Sequence, residues 1–186
     1  MKEIIIPDAT NEPAAYRAAL LNLLGELDPL EVLSSTHEHL VQATSGLSLE
    51  TVGTPPGEGE WSVYELIGHL LDAEMAYAFR WRLMLTEDRP PYPAYNEKSW
   101  ARLPKPPFLL VLEAFGMLRQ INLFLLQSLP ASWQRMGIHA EQGPETVEMN
   151  MRKLAGHDLA HLNQLERTLA TVAKSTDTTH ELRNEL

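Results

Sequence analysis

Apolar residues recur at helical spacing in four long segments, and the intervals between these segments are rich in proline and glycine. Side chains three and four positions apart share one face of a helix, so each segment presents one stripe to a core and one to water. No segment shows the strict alternation of a half-buried strand. The pattern predicts an all-α four-helix bundle with an extra short N-terminal helix and long connecting loops. It forms a single domain over residues 1–186, with its core at about 25–174 and a polar, frayed tail at 175–186.

Start and stop signals set the boundaries. A short opening helix is predicted from Glu12 to Leu27, with Pro13 in its first turn. Asp28-Pro29-Leu30-Glu31 then restarts the chain. Asp28 can cap the orphan N–H groups, Pro29 has no N–H to lose at the first position, and Glu31 can reach back as in a capping box. This first bundle helix runs to about Thr44. Thr51 to Glu60 reads as a loop, and Ser62-Val63-Tyr64-Glu65 is a second capping box that opens helix two. That helix ends near Leu85, ahead of Arg89-Pro90-Pro91-Tyr92-Pro93. Helix three follows Pro106-Pro107 and ends near Pro130, while helix four starts around Pro144 to Thr146 and runs to about Lys174. The connections exceed the roughly 2 to 8 residues of a minimal bundle, and long loops more often carry or cover a site.

Composition narrows the chemistry. An apolar content of 44% in 186 residues is enough for one continuous core. No run approaches the roughly 18 unbroken apolar residues of a membrane span, and MKEIIIPDAT is too short an apolar stretch for a signal peptide, so the cytoplasm is the expected compartment. Cysteine is absent, which excludes disulfides, thiolate ligands and a cysteine nucleophile, and any thiol must arrive with a substrate. The formal net charge of −10 repels a phosphate backbone. With no cluster of Lys and Arg to offset it, nucleic acid is excluded as a main partner.

The candidate chemistry lies in the histidines. His157 and His161 are four residues apart and project from one face of helix four, a spacing suited to chelation that packed or solvated histidines also adopt. His69 lies on the stripe of Leu66 and Ala73 in helix two, where a histidine is more often satisfied by a hydrogen bond than by a metal. Three inward histidines on two helices favour the metal, because one divalent ion would satisfy all three. Asp72 and Gln164, each one turn after a ligand, are placed to hold the ligands or touch a substrate, or are ordinary surface residues. His139 precedes helix four and reads as a solvated loop residue that could instead close over the site. The catalytic group is unassigned among Asp72, Gln164 and His139. His37 and His39 point to different sides, and His180 is in the tail. Tyr64, Tyr77, Arg80, Trp81 and Arg119 are candidates for the pocket lining.

Three neutral imidazoles leave coordination positions open, which is the layout of a catalytic site rather than of a closed structural one. Such an ion can activate water, hold a thiolate or polarise a carbonyl, so the ligands do not choose the reaction. Zinc, nickel, iron and copper all suit imidazole.

Trp61 to Glu74, WSVYELIGHLLDAE, resembles the WS..E...HL.D.E signature of the DinB-like family, in the DinB and YfiT superfamily of metal-binding four-helix bundle proteins. Gly137-Ile138-His139 through Thr146-Val147 is similar to the loop before the last helix in one branch. Ala155 to Leu165, AGHDLAHLNQL, is similar to the family's H...H..Q end. With the Asp28-Pro29 start, the resemblance covers roughly residues 25 to 170. It implies an up-down-down-up bundle, a nickel or zinc ion on His69, His157 and His161, and often a homodimer. Family members include transferases and isomerases that use bacillithiol, mycothiol or glutathione, and others described as metal-dependent hydrolases.

The expected function is therefore that of a metal-dependent enzyme acting on a small molecule, with zinc or nickel foremost and iron also suitable. It would activate either a low-molecular-weight thiol, as a transferase, or water, as a hydrolase. The rival is a non-catalytic metal-binding bundle with a sensing, storage or structural role. A zincin-like peptidase is set aside: His157-Asp158-x-x-His161 has Asp where HExxH has the longer Glu, Glu181 lies in the polar tail, and His69 would have no part.

Overall fold

The start signals act as their chemistry requires. In the computed structural model, which describes residues 4–184 with side chains through Ala173, the Asp28 carboxylate accepts from the N–H groups of Leu30 and Glu31 at 2.7 and 3.2 Å. It opens α2 (Pro29–Thr44), which follows α1 (Pro13–Leu24). Ser62 and Glu65 exchange bonds at the head of α4 (Val63–Thr86): the Ser62 N–H donates to Glu65 at 2.8 Å, and the Glu65 N–H to Ser62 Oγ at 3.3 Å. Thr146 caps α7 (Val147–Asn184) by accepting from the Met149 N–H at 3.0 Å. Between these lie α3 (Leu49–Gly53), α5 (Glu97–Ala101) and the third bundle helix, α6 (Phe108–Ser128).

α2 and α4 each pack against both α6 and α7. In the order α2, α4, α6, α7 the first and last steps therefore run diagonally across the bundle, whereas α4 and α6 are neighbours. A diagonal step needs more chain than a step to an adjacent helix, which accounts for the long connections from α2 to α4 and from α6 to α7. α1 lies along α7, so closely that a Cβ at Gly156 would collide with the Leu20 carbonyl.

Three expectations need correction. The connections carry a small sheet, of β1 (Pro91–Tyr92), β2 (Met136–His139) and β3 (Gly143–Thr146), with β1 parallel and β3 antiparallel to the central β2. Strands of two to four residues are too short for alternation to show. α1 ends three residues before Leu27, because Gly25 takes φ +56° and breaks the helix. The backbone of α7 continues through most of the stretch expected to fray; the side chains of His180 and Glu181 lie outside the described residues.

The core has two apolar clusters. One gathers Tyr77, Trp81, Leu123 and Met151; the other gathers Leu66, Ile67, Phe115 and Leu165. Each bundle helix also buries a polar residue near the junction of the two clusters: Thr36 on α2, Glu74 on α4, Arg119 on α6 and Asp158 on α7. Arg119 donates through Nε to Glu74 at 2.8 Å and through Nη1 to Asp158 at 2.7 Å and the Leu33 carbonyl at 2.8 Å. Thr36 donates to Asp158, and Asn122 to Glu74, at 2.8 and 2.7 Å. α6 also has the length and composition to cross a membrane, at mean hydropathy 1.6 over its richest window. In the fold its inner stripe joins both clusters, and its outer stripe leaves Leu110, Met117, Ile121 and Phe124 exposed.

Candidate metal centre

The stripe that buries Leu66 and Ala73 on α4 turns His69 inward, and α7, packed against α4, brings His157 and His161 to it from one face. His69 Nε2 lies 2.9 Å from His157 Nε2, which lies 3.1 Å from His161 Nε2. One ligand nitrogen from each ring falls within 4.8 Å of the others. His69 and His157 are buried, and His161 is half-buried.

Three rings this close cannot satisfy one another. Each neutral imidazole offers one N–H and one lone pair, yet His157 Nε2 faces two neighbours. Burial, then the neighbouring histidines, pushes the His69 pKa well below its ordinary value, and burial followed by His157 takes His161 down to about 3. Both rings are held neutral, the form that binds a metal. The Nδ1 atoms of His69 and His157 are buried without a hydrogen-bond partner. His161 Nδ1 donates to Gln164 Oε1 at 2.9 Å, which leaves the Nε2 lone pair facing inward. Beside the rings, one guanidinium faces two carboxylates in the polar layer, an excess of negative charge, and the unpartnered Asp158 Oδ1 lies 3.9 Å from His157 Nδ1. A divalent cation fits this donor set and this charge.

Trp61 closes one side, with its ring centroid 4.8 Å from that of His69 and stacked at 6.3 Å on His161. The other side is open. A cavity of about 350 Å³ reaches His157 and is bordered by Tyr77, Arg80, Tyr95, His139 and Lys153. A second, of about 280 Å³, touches His157, His161 and Gln164. Asp8 and Ala9 border both, so the segment before α1 runs between them.

The remaining candidates divide. Asp72 pairs with Lys105 at 2.8 Å, and the Lys105 stem crosses α4 at Gly68, where a Cβ would meet it. Asp72 thus ties the connection before α6 onto α4. Tyr64 holds the same connection through the carbonyls of Lys105 and Pro106. Trp81 belongs to an apolar cluster and Arg119 to the polar layer, whereas Tyr77 and Arg80 line the larger cavity. His37 packs over Gly116, between α2 and α6. His139 is not a solvated loop residue: it is 4% exposed, at the end of β2. Its Nδ1 accepts from the N–H groups of Glu141 and Gln142 at 3.1 and 3.2 Å, which assigns the proton to Nε2. Burial, then Arg80 and Lys153, lowers its pKa to about 4. Sequence reasoning missed Trp61 and Lys153 as site residues. Lys153 stands one turn before His157 and shares its face, a spacing that could have flagged it.

This combination, a four-helix bundle with three histidines converging from two helices beside an open cavity, defines a class of metal-binding bundle proteins. The DinB superfamily model matches residues 33–165, and the chain belongs to that superfamily. A protein of Bacillus mycoides, named as a proposed metal-dependent hydrolase, is 28% identical over 146 residues, covering 75% of this chain and 84% of the relative. YfiT of Bacillus subtilis, with a name of the same kind, is 26% identical over 148 residues, covering 75% and 83%. The solved structure of YfiT, described as a probable metal-dependent hydrolase with an unusual four-helix bundle topology, is similar to this chain at a TM-score of 0.67 and 26% identity, covering 75% of this chain and 84% of that one.

Proposed function

We propose that the chain is a metal-dependent hydrolase of small molecules, with His69, His157 and His161 holding one divalent ion. The observation that carries the reading is the convergence of three Nε2 atoms at the edge of an open cavity. When bound, zinc or nickel would lower the pKa of a water and polarise a carbonyl. The protein's own groups prepare the place. Gln164 orients His161, Trp61 covers the ring faces against solvent, and His139 offers a neutral Nε2–H to whatever occupies the cavity. The names of the relatives support water as the nucleophile. A small external thiol in its place would make the site a transferase, a reading compatible with a chain that has no cysteine of its own. The homodimer implied by the resemblance belongs to the same proposal, supported by the exposed apolar stripe of α6.

The test is elemental analysis of protein purified without an affinity tag, wild type against His69→Ala. Both are then assayed for hydrolysis of small esters and amides and for conjugation of thiols to electrophiles, with light scattering on the same samples. About one ion per chain, lost in the variant together with hydrolysis while the helical signal is retained, is the expected result. Turnover of thiols alone would move the assignment to transferase, and metal without turnover would move it to a sensing or storage bundle. A wild type that cannot be loaded would end the metal reading.

A further inference from the structure

Among the described residues, buried cations are answered by carboxylates, with one exception. Arg119 meets Glu74 and Asp158, and Lys153 meets Glu145 at 2.7 Å. Arg80, 5% exposed, forms no ion pair among the described residues; it donates to the Pro93 carbonyl at 3.4 Å. The rings of Tyr77, Tyr92 and Tyr95 surround its guanidinium, with centroids at 5.1, 5.3 and 5.7 Å. Aromatic faces attract a cation, but they neutralise no charge and accept none of its in-plane N–H bonds.

Among the described residues no neighbouring acid stands within ion-pair distance of Arg80. Glu145, the carboxylate buried in this corner, already accepts from Lys153, from Tyr92 at 3.0 Å and from Asn150 at 3.0 Å. Asp8 is held by Lys98 at 3.1 Å, and the other acids that border the cavity are the half-buried Glu97 and the exposed Glu141. A buried unpaired guanidinium is costly. This one borders the cavity that reaches His157, and a volume of about 350 Å³ falls at the low end of the ~300–1,000 Å³ typical of small-molecule sites.

We infer that the substrate is a small carboxylate, with its carboxyl group held on the Arg80 fork and the rest of the molecule extending toward His157. The planar guanidinium matches a carboxylate with two parallel N–H bonds, and the His139 Nε2–H borders the same space. This inference names the substrate class of the site proposed above and rests on that reading only for the chemistry at the far end of the molecule.

The probes are N-acetylglycine and its uncharged counterpart N-acetylglycinamide, titrated by NMR into wild type, Arg80→Gln and His69→Ala. Wild type should bind the acid at least about tenfold more tightly than the amide, Arg80→Gln should lose that preference, and His69→Ala should keep it. If Arg80→Gln does not fold, Arg80→Lys, which keeps the charge but not the fork, should show a preference several-fold smaller than wild type. Wild type that does not distinguish acid from amide overturns the inference. So does a preference that survives in Arg80→Gln or Arg80→Lys at full strength, or one that vanishes in His69→Ala, which would put the carboxylate on the metal instead. The two proposals fail separately: protein that holds no metal but prefers the acid ends the hydrolase reading and leaves Arg80 as the anchor.

Discussion

Arg119 and Arg80 are both buried guanidiniums, one on α6 and one on α4, and they differ in what answers their charge. Arg119 is built into the bundle, with two carboxylates and a backbone carbonyl from three other helices around it. Arg80 faces aromatic rings and a cavity. A charge that the protein satisfies by itself is part of its packing; a charge left open is available to a ligand. The histidines stand on the same divide. His161 is tied to Gln164, while His69 and His157 leave nitrogens without partners.

The sharpest way to break the comparison is to open the closed side. Arg119→Ala leaves Glu74 and Asp158 facing one another in the core, and a loss of about 3–5 kcal/mol is expected, read by urea denaturation of the metal-free protein. Gln164→Ala should keep the fold and weaken metal binding by about 10- to 100-fold in competition with a chelator, because His161 loses the bond that fixes its tautomer. Acid is expected to act on the buried imidazoles. The folded pKa values of His139 and His161, about 4 and about 3, lie below the ordinary 6.5, so the unfolded chain takes up protons first as pH falls. The stability of the metal-free protein should be complete above about pH 6.5 and decline toward pH 4, and His139→Gln should flatten that slope in thermal melts. The smallest change is expected from Arg80→Met, which replaces an unanswered charge by an apolar chain: neutral or stabilising, within about 1 kcal/mol in the same denaturation assay. A loss comparable to that of Arg119→Ala would erase the distinction between the two residues.

Legibility in the sequence followed the range of the interaction. The Ser62 box and the Asp28 cap span three residues, and the His157–His161 pair spans one turn, so each was readable from local geometry. His69 needed only the periodicity of its own helix and the company of the other two. The sheet was not readable, because Pro91 and Tyr92 pair with Ile138 and His139 far along the chain, and nothing in either short segment signals its partner. That pairing buries His139, and so its solvated reading failed with the missing strand. Asp72 was identified as a candidate from its position, yet its partner Lys105 arrives from a connection whose course depends on the tertiary fold. The openness of Arg80 is a property of everything around it, which no local pattern encodes.

Gly156 contributes no chemistry of its own. It stands one residue before His157 because two backbones meet there, and α1 can lie on α7 only while position 156 carries no side chain. The segment leading into α1 is also what runs between the two cavities. The freedom of this chain to drift in sequence is therefore closed at a place outside the histidine cluster: even an alanine there would push the first helix off α7 and shift the segment that runs between the two cavities.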